Sequence, residues 1–256
     1  MGFHSSDARH RKALQGKAWQ SIAKQHGLSI QPSGLAGMLS QPVRQTSGVT
    51  STSTETTMTI QSAKIAITGI NYLLQNNPQT VDPFNKFSKL KKGITNKGRG
   101  KTDEDLLELG NIETESKIYF DDTLGVYVPT RWMTEAICTG AFSVIKKGKD
   151  KMRGGVFATE EKAKLHYEDM GKVKTISDVV LNPKFRHRAM LPQGQVRVAK
   201  DFPIFKGWSF ATVIEFDDTV VDFSSLKKVV ERTSMYVGFG DFRPTFGRAT
   251  AEVTHV

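Results

Sequence analysis

From Gln31 to Thr59 the chain is built of Ser, Thr, Gly, Pro and Gln and is nearly empty of large apolar groups, which confines any packed core to the residues beyond Thr59. Ordering a residue's backbone costs about 1–2 kcal/mol. A segment with so little apolar surface cannot offset that loss, so residues 27–59 are predicted to be a flexible linker. Ahead of it, residues 1–26 interleave Arg9, Arg11, Lys12, Lys17 and Lys24 with Leu14, Ala18, Trp19, Ile22 and Ala23. That is the pattern of a short basic amphipathic helix ending before Gly27, suited to touching nucleic acid or a neighbouring subunit. Met58 stands at the end of the linker, which leaves residues 1–57 open to two readings: a tethered arm, or an upstream extension of the translated frame. Residues 60–256 are then expected to form a single α+β nucleic-acid-binding domain.

Periodicity orders that domain. Ile60, Ala63, Ile65 and Ile67 mark an opening strand, with Tyr72 and Leu73 at its exit. Asn76 to Lys101 reads as an irregular excursion, because glycines at 93, 98 and 100 disfavour a regular element. Asp103 to Leu109 reads as an acidic helical turn, followed by a hairpin of Lys117–Phe120 with Gly125–Val128 that turns through Asp121 and Asp122. Pro129 and Thr130 open a helix from Arg131 to about Val144, with Trp132, Ala136, Ile137 and Phe142 for the core. A second basic loop, Lys146 to Arg153, leads into a strand at Gly155–Ala158, and Thr175–Leu181 is predicted as another strand. Phe185–Met190 and Gln195–Lys200 form the arms of a hairpin. Phe210 to Phe216 is the clearest strand, and Phe223 to Tyr236 is a helix capped by Ser224 or Ser225, with Leu226, Val229, Val230 and Met235 inward. A glycine-rich turn, Gly238 to Gly247, precedes a last strand, Arg248 to Val253. With the insertions set aside, the order approximates a β-α-β-β-α-β unit: a ferredoxin-like (RRM-type) core with long basic insertions and a flexible N-terminal arm.

Charge narrows the partners. The 256 residues carry 36 Lys and Arg against 26 Asp and Glu, a net charge of +10. Such a surface attracts polyanions through counterion release, so nucleic acid is the first partner class to consider. Lys86, Lys89, Lys91, Lys92, Lys97, Arg99 and Lys101 fall in one stretch with Phe84 and Phe87 at its start, the groove-plus-stacking pattern used on single strands. Lys147 and Lys149 in the second basic loop and Arg186, Arg188 and Arg197 in the hairpin extend the same patch. A solvated charge run and an edge strand guarded by cations are the competing readings. In Tyr236–Arg248 the glycines at 238, 240 and 247 let a ligand approach the main chain, Arg243 and Arg248 offer guanidinium forks to phosphate, and Phe239, Phe242 and Phe246 offer rings to bases. The alternative is a tight connection with core aromatics, its arginines paired with Asp241 or Glu252.

The opening strand followed by Tyr72-Leu-Leu74, the Tyr127-Val-Pro-Thr-Arg-Trp132 segment that starts the first helix, and the C-terminal glycine-rich turn together resemble the RAMP superfamily, which includes CRISPR backbone and processing subunits. Arg197–Trp208 with Gly238–Arg248 is also similar to uncharacterised bacteriophage proteins. The resemblance spans roughly residues 60–253. It implies a ferredoxin-like sheet that grips single-stranded RNA with long basic loops, polymerising backbone members, and contacts from the glycine-rich turn, Arg243, Arg248 and the first basic insertion.

Catalytic signals are sparse. The six histidines are scattered without an HExxH pair, and the single cysteine, Cys138, leaves no internal disulfide or multi-cysteine zinc site. No cofactor or metal is expected. His187, amid basic residues, is the one candidate for an RNA-cleaving histidine. No apolar run approaches the roughly 20 residues of a membrane span, and no apolar leader opens the chain, so the expectation is no membrane and a cytoplasmic location, the host's if the protein is viral. The expected function is a non-enzymatic binder of single-stranded DNA or RNA that coats phage DNA in adjacent copies as a homo-oligomer or filament. The alternatives are a CRISPR-like RNA-backbone subunit, a metal-independent endoribonuclease, and a structural or protein-interaction module.

Overall fold

The computed structural model describes residues 59–256, so the helix and linker expected before Thr59 lie outside the described residues. In chain order, strands β1 (Ile60–Gly69) and β2 (Leu73–Leu74) lead to helices α1 (Lys86–Thr95) and α2 (Asp103–Lys117). The hairpin β3 (Phe120–Asp121) and β4 (Gly125–Pro129) comes next, then α3 (Arg131–Gly140), α4 (Gly148–Gly155), β5 (Val156–Ala158), β6 (Lys162–Lys164) and α5 (Ile176–Val180). The hairpin β7 (Arg186–Gln193) and β8 (Val196–Phe205), then β9 (Ser209–Asp217), α6 (Phe223–Tyr236) and β10 (Ala249–His255) complete a mixed α/β fold. Its strands form three antiparallel sheets ordered β10-β1-β9-β5, β2-β8-β7 and β3-β4-β6.

The four-stranded sheet arises from alternation. Ala63, Ile65 and Ile67 of β1, Phe210, Thr212, Ile214 and Phe216 of β9, and Ala249 and Val253 of β10 are buried, while Lys64, Thr68, Ala211, Glu215, Thr250, Glu252 and Thr254 between them are exposed. Ile65 lies opposite Val253 on one side and Thr212 on the other. A one-residue slip would turn every buried group to solvent, at about 1.5–3 kcal/mol for each large side chain. The buried face is covered by Met133, Ala136 and Ile137 of α3 and by Leu226, Val229 and Val230 of α6. Those helices meet at Gly140, where an added Cβ would lie 2.0 Å from Thr233 Oγ1.

Several sequence expectations are corrected. The stretch around Lys86–Thr95 is helical, because Asn85 accepts from the Phe87 N–H and Phe87 and Ile94, two turns apart, bury against Ile112 of α2. Gly93 has open space around it and interrupts nothing. Asp103–Leu109 is the first part of a 15-residue helix in which Thr102 and Asp105 form a capping box, and this helix takes Lys117 out of the expected hairpin. The second basic loop is also helical in part: α4 is anchored by Met152, which is 1% exposed. Thr175–Leu181 is a short helix, since Asp178 accepts from the Thr175 N–H in a second capping box. Asp222 caps α6 by accepting from Ser225 N at 2.8 Å, which leaves Ser224 and Ser225 inside the first turn. Phe142 stays out of the core, in a short 3-10 turn where it is exposed.

Candidate nucleic-acid interface

An open groove of about 1090 Å³ is lined by β4, β5, β6, α3, α4 and Arg243. On α3, Met133, Ala136, Ile137 and Gly140 face the core, so Arg131, Thr134, Glu135, Cys138 and Thr139 form the opposite stripe and line the groove. On α4, burial of Met152 leaves Lys149 and Arg153, one turn apart, on the groove side. In β4, Val126 and Val128 point inward and Tyr127 points out. Phe157 on β5, 46% exposed, supplies another ring at the rim.

Five cations and three carboxylates, Glu135, Glu160 and Glu161, line this groove. Lys162 is committed to Asp121 at 2.6 Å, a contact that, with the Thr123 hydroxyl, holds the Asp121 carboxyl well below its usual range. Arg131 donates to the Tyr119 hydroxyl at 3.3 Å; burial pushes that phenol up, and the guanidinium opposes the shift. Arg131, Lys149, Arg153 and Arg243 have no carboxylate within 4 Å among the described residues. Burial raises the pKa of the Cys138 thiol, against the opposing pull of Arg153 and Lys149. The groove thus holds open cations beside the exposed Phe157 ring and the half-buried Tyr127 ring, an arrangement that can bind phosphates and stack bases. Among the described residues no cluster of three or more His, Cys, Asp or Glu is placed to hold a metal ion.

Of the residues expected from sequence, Lys149 and Arg243 share this groove. The first basic insertion lies elsewhere and is partly neutralised: Lys86 pairs with Glu115 at 4.0 Å, Lys91 with Glu113 at 3.5 Å and Lys97 with Asp105 at 2.5 Å. Lys101 donates to the Gly98 carbonyl, while Lys89, Lys92 and Arg99 are exposed. Lys147 is exposed just ahead of α4, and Arg197 is exposed near the hairpin tip.

Arg186, half-buried, and Arg188, which stays exposed, are both engaged by partners within the protein. Arg188 grips Asp201 with two bonds of 2.8 and 2.7 Å, and Arg186 bonds Asn111 and the Val180 carbonyl. Asp201 and Glu113, each 2% exposed, sit with Lys117 between α2 and β8. Glu113 accepts from Lys200 at 2.7 Å and from the Asp201 N–H at 3.0 Å. Burial alone would raise its pKa, but those bonds and the nearby Lys117 charge outweigh it and hold the carboxyl low. Lys117 donates to the Asp201 carbonyl at 2.5 Å and caps the Phe202 ring; burial pushes its pKa down to about 8, and Glu113 opposes that shift.

The glycine-rich turn is also built for packing. Phe239 is fully buried and meets Trp208 and Phe210 edge-on, so it cannot stack on a base. Phe242 and Phe246 cover a small core of Leu74, Phe202 and Ile204. Gly240 has φ +75°, and a Cβ there would lie 2.3 Å from the Leu74 carbonyl oxygen, so the chain's own backbone fills the space a ligand would need. Arg248 donates to the Met235 carbonyl at the end of α6 at 3.1 Å, a partner different from Asp241 and Glu252. His187 packs against Phe246 at 5.3 Å, away from the groove.

Arg131, Lys162, Tyr127 and Phe157 are absent from the site expected from sequence, and Arg153 enters that expectation only as the end of the second basic segment. The usable signal is Lys149 with Arg153 at helical spacing. No protein-family model and no curated protein matches the chain.

Proposed function

We propose that the chain binds single-stranded nucleic acid along the groove between α3, α4 and β5. The observation that carries this reading is the juxtaposition of Arg131, Lys149, Arg153 and Arg243, free of carboxylates within 4 Å among the described residues, with the rings of Tyr127 and Phe157. The cations neutralise phosphates, and the rings accept unpaired bases irrespective of sequence. Part of the proposal is the frame: β1, α3, β5, β9, α6 and β10 constitute a ferredoxin-like unit of the RAMP kind. The strand order β10-β1-β9-β5, antiparallel throughout, with both helices against one face, supports it. The site takes from the sheet-face platform of RNA-recognition modules only Phe157, which stands opposite Glu215, since the rest of that exposed face carries Lys64 against Glu215 and Glu252 and offers phosphate no excess of cations.

The test is fluorescence anisotropy with labelled single-stranded DNA, single-stranded RNA and duplex across a salt series. Single strands should bind more tightly than duplex. Replacing Lys149, Arg153 and Arg243 together by Ala should lower the salt slope by about 2, at about 0.7 per lost phosphate contact. An unchanged slope and affinity in a folded triple variant would remove the groove from the binding surface.

A further inference from the structure

A strand at the edge of a sheet presents unpaired N–H and C=O groups, and proteins that avoid edge-to-edge association shorten such strands or place Lys or Pro in them. The other edges here conform to that practice. β2, β3, β5 and β6 are two or three residues long, and β7 carries Arg186, Arg188 and Pro192. β10 does not: seven residues, Ala249-Thr-Ala-Glu-Val-Thr-His255, with no Lys, Arg or Pro.

Its backbone parity can be read directly. Val256 N donates to the Ser62 carbonyl and Ile70 N to the Arg248 carbonyl, so the even-numbered residues 250, 252 and 254 exchange their bonds with β1. The backbone groups of Ala249, Ala251, Val253 and His255 therefore point away from β1, where the sheet order places no further strand among the described residues. We propose that a second copy of this chain pairs with this edge, β10 to β10 and antiparallel, so that two four-stranded sheets run into one.

Three features favour that occupant. An antiparallel strand is complementary to itself about a two-fold axis, each outward N–H meeting a C=O of the same strand in the partner. The side chains that would continue the buried layer across the junction, Ala251 and Val253, are apolar and small enough to let the strands close. The only charged side chain on the strand, apart from the His255 imidazole, is Glu252, which repels a nucleic acid and leaves no cation for phosphate. β5, which lines the groove, is the opposite edge of the same sheet, so pairing through β10 leaves both grooves open. The proposal stands on the edge geometry and not on the nucleic-acid reading.

The experiment uses the full chain without nucleic acid. Sedimentation across a concentration series should give a species of twice 28.4 kDa that dissociates on dilution. Amide hydrogen exchange by NMR should find Ala251 and Val253 protected in that species and released as it dissociates. Ala251→Pro removes an outward N–H without touching the β1 ladder; it should abolish the dimer and leave the melting temperature near that of the parent. If that variant fails to fold, the exchange measurement on the parent decides. A monomer at every concentration overturns the proposal, as does a dimer whose Ala251 and Val253 amides exchange freely. Protection of those amides in a monomer also overturns it, since a segment of the same chain would then cover the edge.

Discussion

Five cationic side chains gather at each of two places, and the two places use them in opposite ways. Between α2 and the β7–β8 hairpin, Lys91, Lys117, Arg186, Arg188 and Lys200 surround the buried carboxylates of Glu113 and Asp201. In the groove, Arg131, Lys149, Arg153, Lys162 and Arg243 meet one close carboxylate, that of Asp121, and four of them keep their charge open to a ligand. Equal numbers of basic residues thus give a structural clamp in one region and a candidate binding surface in the other. What separates them is where the acids fold to, which a count along the sequence does not register.

The sharpest way to break the contrast is to remove the clamp's central carboxylate. Glu113→Gln keeps the volume but removes the buried carboxylate that Lys200 and Lys91 reach at 2.7 and 3.5 Å and that balances the nearby Lys117 charge, and losing one partner of a buried pair costs about 3–5 kcal/mol. For a domain of this size that is roughly a 10 °C fall in melting temperature, with single-strand affinity unchanged below the transition. The same lysine sets a pH signature. Its folded pKa of about 8 lies below the ordinary lysine value of 10.5, so between these values the unfolded chain binds more protons and stability rises with pH. Chemical denaturation at pH 7.5 and pH 10 should show this upward contribution in the parent and its loss in Lys117→Met.

The second test falls on the groove. Lys149→Ala with Arg153→Ala should weaken single-strand binding about tenfold, a change of about 1.4 kcal/mol. The melting temperature should barely move, because solvent-facing charges contribute little to stability. If the double variant instead melts early and the folded remainder binds normally, the two regions do not differ as described. A smaller effect is expected from Lys89→Ala with Lys92→Ala on α1, whose exposed cations lie outside the groove: less than about a threefold change, mostly in the salt dependence.

The same contrast separates what was legible in the sequence from what was not. β9 and α6 were legible because their apolar spacing reports one buried face each, and the bounds expected for α6, Phe223 to Tyr236, are those observed. The helices α1 and α4 were not, since glycines at 93 and 154 point into open space and burial of Phe87 and Met152 decides the outcome. Thr175–Leu181, with its run of β-branched residues, has the composition of a strand, but a capping box between Thr175 and Asp178 overrides that preference. Of the candidate site, Lys149 and Arg243 were expected from sequence, but the groove unites Tyr127, Arg131, Arg153 and Arg243 from elements far apart in the chain. No local spacing carries that proximity.

The smallest effect separates two arginines five residues apart. Arg243 and Arg248 have the same apparent role at the glycine-rich turn when only their spacing is considered, yet Arg243 reaches the groove while Arg248 donates to the Met235 carbonyl, one of the acceptors left open at the end of α6. Arg243→Ala should therefore weaken single-strand binding by a few-fold with no thermal shift, as the loss of one phosphate contact requires. Arg248→Ala should leave binding alone and lower the melting temperature by no more than about 4 °C, the range for one modest hydrogen bond in a domain of this length. Anisotropy and calorimetry on the two single variants give the answer. If Arg248→Ala costs affinity equal to Arg243→Ala, the helix-end contact is not what holds Arg248 in solution, and the interface extends past the groove onto the turn.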